Sequence, residues 1–124
     1  MATPLPITDA DRALIKPYII LPMVLRAFER DTHIFLNFRT PDPYVDWIHS
    51  ARERLSIEVR LTRFEAVRRG IRVYEEERTA SGMSVRYLCR GHHGNLFLTN
   101  AEIAEIAVGL MRKYLSLQKP TTTA

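Results

Sequence analysis

The sequence predicts an α+β domain. Three observations predict it: a long helical stretch between Pro43 and Gly70, an alternating pattern from Ile71 to Arg90, and a capped helix after Thr99. The expected order is a kinked N-terminal helix, a long central helix, a small antiparallel sheet (a hairpin plus a short third strand) and a C-terminal helix. At 124 residues a single domain is expected over 1–124, with loose tails at 1–7 and 119–124, where prolines and threonines cluster.

The first helix is expected from about Asp9 to Asp31. Thr8 suits the N-cap, and Asp9 and Asp11 suit the positive end of the helix dipole. Leu14, Tyr18, Leu21, Leu25 and Phe28 fall on one seam. Pro17 and Pro22 lie within it. Each removes a hydrogen bond, so the pattern predicts a kink or a break near Pro17. The apolar run Ile34–Phe38 has no helical period and reads as a strand or a buried connector.

The central helix has the firmest limits. Asp42 and Pro43 start it; Arg68, Arg69 and Gly70 stop it. Tyr44, Ile48, Ala51, Leu55, Val59, Thr62 and Ala66 share one face. Ile57, Leu61 and Phe64 lie nearly opposite, at ~100° per residue, with Trp47 toward the same side.

Two strands are expected around Thr79-Ala80-Ser81-Gly82. The predicted register opposes Val73 to Leu88, Tyr74 to Tyr87 and Glu75 to Arg86. Gly91 to Asn95 then reads as a turn, and Leu96-Phe97-Leu98 as a short third strand. The last helix opens on Thr99 and Glu102, a capping-box pair, with Leu98 and Ile103 as a hydrophobic staple. Two apolar stripes, through Ile103, Ile106, Leu110, Tyr114 and Leu117 and through Ala104, Val108, Met111 and Leu115, predict that it is mostly buried. Gly109 is expected to mark a close approach to another element.

Composition narrows the function classes. The hydrophobic content of 46% and the charged content of 26% are those of a globular protein. The single cysteine, Cys89, excludes an internal disulfide and fits a reducing compartment. No apolar run reaches the ~18 residues of a membrane span, and the first residues do not read as a secretory signal, so a cytoplasmic protein is expected. The formal net charge of +4 is spread over the whole length rather than gathered into a phosphate-binding footprint.

Motifs for catalysis or cofactors are absent: no phosphate-cradling glycine loop and no Gly-x-Ser-x-Gly. No cofactor is expected. Cys89, His92 and His93 give one Cys-x2-His spacing, the kernel of a metal or thiol site, but no second ligand pair accompanies it. Arg52, Arg60 and Arg63 on the central helix, with Arg86 and Arg90 on the hairpin, form an alternative nucleic-acid surface; Glu53, Glu58 and Glu65 interleave the helical three.

The leading expectation is a non-enzymatic interaction or regulatory protein that self-associates. Its warrant is the second apolar face of Ile57, Leu61 and Phe64, with Trp47. Either the chain's own sheet covers that face, or a second copy does, by antiparallel pairing of two central helices about a two-fold axis with the arginines at the rim.

Overall fold

Thr8 begins the fold with a complete capping box: its hydroxyl accepts from the Asp11 amide, and Asp11 accepts from the Thr8 amide. The computed structural model describes residues 5–116. Helix α1 (Asp9–Phe35) is followed by α2 (Asp42–Arg68), the strands β1 (Ile71–Arg78), β2 (Gly82–Cys89) and β3 (His92–Thr99), and helix α3 (Asn100–Tyr114). The sheet is antiparallel, in the order β1-β2-β3. The α+β architecture and the order of its elements are those the sequence predicts.

Pro17 and Pro22 do not divide α1, which continues to Phe35 and absorbs the start of the supposed connector. Burial explains the tolerance. Ile15, Ile19, Ile20, Leu21, Val24 and Phe28 are all buried, over an arc far wider than one seam. Tertiary contact on several sides therefore replaces what each proline removes from the helix ladder. The predicted seam is displaced: Leu14, Tyr18 and Leu25 sit at the margin of the core.

Helix α2 ends where predicted, but Asp42 is its first helical residue rather than its cap, and no side chain caps its start. Ile48, Ala51, Leu55, Val59, Thr62 and Ala66 are buried; Tyr44 stays exposed and stacks on Phe35. The connector closes as a small aromatic cluster, with Phe38 edge-on to both Phe35 and Tyr44.

The sheet corrects two expectations. Glu75 does oppose Arg86, but Val73 opposes Tyr87 and Arg72 opposes Leu88, because a bulge at Tyr74 shifts the register. The reason lies in the pleat. Met83, Val85, Tyr87 and Cys89 form the buried face of β2. Opposing Val73 to Leu88 would turn Val73 away from that face; the extra residue at Tyr74 lets Ile71 and Val73 join it. The third strand is also longer than three residues, because His92 and His93 already belong to it. A two-residue turn connects it, with Arg90 at φ 49° and Gly91 at φ 86°, the left-handed pair of a tight hairpin.

Helix α3 opens with the Thr99 hydroxyl accepting from the Glu102 amide. It is less buried than its stripes predict. Ile103, Ile106 and Leu110 are half-buried, Ala104 and Val108 are exposed, and Tyr114 alone in this helix is fully in the core. Leu117, placed on the same stripe, lies outside the described residues. A Cβ on Gly109 would meet nothing within 4 Å, so among the described residues no element approaches it closely. The C-terminal carbonyls of α3 are held from α2: Trp47 donates its indole N–H to Leu115, and Arg54 donates to Tyr114.

Candidate functional site: an open helix face and a buried arginine–aspartate cluster

Helix α2 meets the rest of the fold with one face only. On the other, Ile57, Leu61 and Phe64 are exposed, and Val67 joins them; Phe64 and Val67 are 70% and 75% accessible. Among the described residues no strand covers them. Beside this face runs a groove of about 440 Å³ between α1 and α2, lined by Leu25 and Glu29 from α1 and by His49, Arg52, Glu53, Ser56, Ile57 and Arg60 from α2. Trp47, expected with this face, stands apart from it: its indole is turned to the end of α3 and remains partly exposed.

A second feature is electrostatic. Asp11 is 1% accessible, and both its carboxylate oxygens are occupied. Arg90 Nη2 donates to Oδ2 at 2.7 Å, Arg69 Nη1 donates to Oδ1 at 3.1 Å, and the Thr8 amide donates to Oδ2 at 2.9 Å. The Arg90 guanidinium, foremost, holds the Asp11 carboxyl far below the usual carboxylate range, against the opposing pull of burial. Arg90 also donates to the carbonyls of Leu5, Pro6 and Arg69. Glu65 receives Arg68 and Arg69; those hydrogen bonds, Arg68's first, lower its carboxyl to about 2. The cluster ties the start of α1, the end of α2 and the β2–β3 turn at one point. Its geometry is that of a structural lock, since every charge is answered from within the chain.

The alternative arginines divide between roles. Arg90 is bound to Asp11, Arg86 faces Glu75 at 3.5 Å, and Arg52 lies 3.8 Å from Glu29 with its Nε buried and without a hydrogen-bond partner. Arg60 lines the α1–α2 groove, and Arg63 lines a smaller one with Arg26 and Glu76.

The pleat parts His93 from Cys89 and His92. Cys89 opposes His92 across the tight turn, while His93 lies on the other face, near the Tyr74 hydroxyl at 3.4 Å. Among the described residues, no group of three or more His, Cys, Asp or Glu is arranged to hold a metal ion. The Cys89 thiol is fully buried, points toward the Arg69 carbonyl, and is pushed up by burial, the opposite of what a thiolate nucleophile requires. Cys89 is therefore expected to react with a disulfide reagent at least about 100-fold more slowly than an unfolded thiol. Stopped assays in buffer and in denaturant check this. A fast native reaction would show the thiol to be accessible.

The sequence pattern puts Ile57, Leu61 and Phe64 on a second apolar face without saying what covers it, and it gives no account of the cluster. One local sign of it was present: Thr8-x-x-Asp11 has capping-box spacing. Nothing local linked Asp11 to Arg69 and Arg90.

Among the described residues the molecule thus has three helices and three strands, with one locked end and one open helix face. The chain matches the YhjD protein family over residues 6–119, and it belongs to that family. No curated protein and no solved structure matches it. Among the described residues, no helix is long and apolar enough to cross a membrane.

Proposed function

We propose that this chain is a non-catalytic interaction protein that associates with itself through the outer face of α2. The supporting observation is the exposure of Ile57, Leu61, Phe64 and Val67 on a helix whose opposite face already fills the core. Burying each such side chain is worth roughly 1.5–3 kcal/mol, so a surface that gathers four of them favours a protein partner. The nucleic-acid alternative draws less support, because Arg52, Arg86 and Arg90 face carboxylates of their own chain. The metal or thiol alternative draws less again, since the pleat parts Cys89 from His93.

Sedimentation equilibrium tests the proposal. Wild type is expected to be dimeric at tens of micromolar, and Leu61→Glu monomeric with an unchanged circular dichroism spectrum. Leu61 is exposed within one chain, so the substitution spares the core. A wild-type monomer, or a folded dimeric Leu61→Glu variant, would reject the proposal.

A further inference from the structure

We infer that two copies dock antiparallel about a two-fold axis passing between Arg60 and Leu61, each seating its Val67 in the α1–α2 groove of the other. The inference rests on the self-association proposed above and adds its register.

An isologous interface must complement itself. In an antiparallel helix pair, residues equally spaced on either side of the axis come level with one another. Ile57 and Phe64 are equally spaced about the Arg60–Leu61 point, so each meets the other across the interface. Glu53 and Arg68 are equally spaced too, each about 11 Å from the axis at ~1.5 Å per residue. Two opposite-charge pairs then flank the apolar centre, shared with the Glu65 that Arg68 already holds and the His49 that lies 3.1 Å from Glu53. A parallel, in-register pairing would instead set Glu53 against Glu53 and Arg68 against Arg68.

The groove supplies the second argument. At ~100° per residue, Val67, Ser56 and Arg60 lie on the same flank of the open face. A two-fold axis in the interface plane keeps each flank against the same flank of the other copy. The partner's Val67 therefore comes level with Arg54, at the lip of the groove between Leu25, Glu53, Ser56 and Ile57. Val67 is the most exposed large apolar side chain of α2, and the groove of about 440 Å³ has room for it. The register also carries one cost. Arg60 faces its own symmetry mate across the axis, a like-charge pair on the groove side.

The test uses full-length chains. Glu53→Cys and Arg68→Cys variants are mixed and treated with a short bismaleimide; native Cys89 is buried and stays out of the reaction. Crosslinks between the two variants are expected to exceed crosslinks within either one by roughly tenfold, and Val67→Asp is expected to weaken the dimer by roughly tenfold or more. Arg60→Gln is expected to tighten it severalfold. A wild-type monomer would sink both the proposed function and this register. A wild-type dimer that crosslinks mainly Glu53→Cys to itself would sink the register alone. A dimer whose affinity ignores Val67→Asp would sink the seating in the groove.

Discussion

Replacing Asp11 by asparagine is expected to destabilise the fold by about 3 kcal/mol. The side chain keeps its shape but loses its charge, and its amide N–H2 group is turned toward a guanidinium. Arg69 and Arg90 are left near each other without an anion between them. Their side chains are a third and a quarter accessible, so water softens the loss, and the figure sits at the low end for breaking a buried pair. Urea unfolding at pH 7 measures the effect. A midpoint within error of wild type would show that the cluster contributes nothing.

The same residue predicts an acid response. The folded Asp11 carboxyl titrates below its ordinary value, so the unfolded chain takes up the proton first as pH falls. The stabilisation is complete above about pH 5 and is lost progressively as pH falls through and below the ordinary carboxylate range. Glu65, held near 2, acts in the same direction over an adjoining window. Asp11→Asn should therefore flatten the fall of stability between about pH 5 and pH 2 without abolishing it. An unchanged slope would place the acid sensitivity elsewhere.

Gly82→Ala is expected to be at least as damaging, with a loss of about 3 kcal/mol or more. A Cβ at this position would stand 2.1 Å from the Leu98 carbonyl oxygen and 3.0 Å from the Leu98 carbonyl carbon. Both belong to the neighbouring strand's backbone, which cannot swing aside as a side-chain tip can. Gly82 is paired with Thr99 at the end of the sheet, where its carbonyl also accepts from the Thr79 amide. Relief requires β2 to part from β3 beside Met83 and Leu98, two buried core residues. Thermal melting of Gly82→Ala beside Gly91→Ala separates crowding from flexibility. Gly91 has a left-handed φ but open space around its Cβ position, so its variant carries backbone strain alone. Equal, small losses in both would refute the crowding argument.

What the sequence made legible were features that repeat locally. The end of α2, its buried face from Ile48 onward and the hydroxyl cap of α3 all arise within one or two turns of helix, and each stands where the pattern puts it. The open face of Ile57, Leu61 and Phe64 was legible for the same reason. Whether the sheet reached it was a question of tertiary placement, which periodicity does not encode. The bulge at Tyr74 was hidden because either register satisfies some cross-strand pairs, and the buried face of β2, with Tyr87 and Cys89 opposite Val73 and Ile71, decides between them. His92 and His93 sit beside glycines in a stretch composed like a loop, yet the pairing of β3 with β2 carries them into the sheet. The burial of Asp11 depended on two arginines from the far end of α2 and from a hairpin turn. No window of sequence contains all three.

That separation has a consequence for how the chain is made. Synthesis delivers α1 first, with Asp11 in its opening turn, and Arg69 and then Arg90 only later. Until Arg90 has left the ribosome, the carboxylate lacks its strongest partner, and Arg69 alone can anchor the start of α1 by charge. The last contact to form in the lock is thus the one that joins the earliest-made part of the fold to the hairpin. A nascent chain halted between α2 and the β2–β3 turn carries an N-terminal helix whose Asp11 has Arg69 but still lacks Arg90.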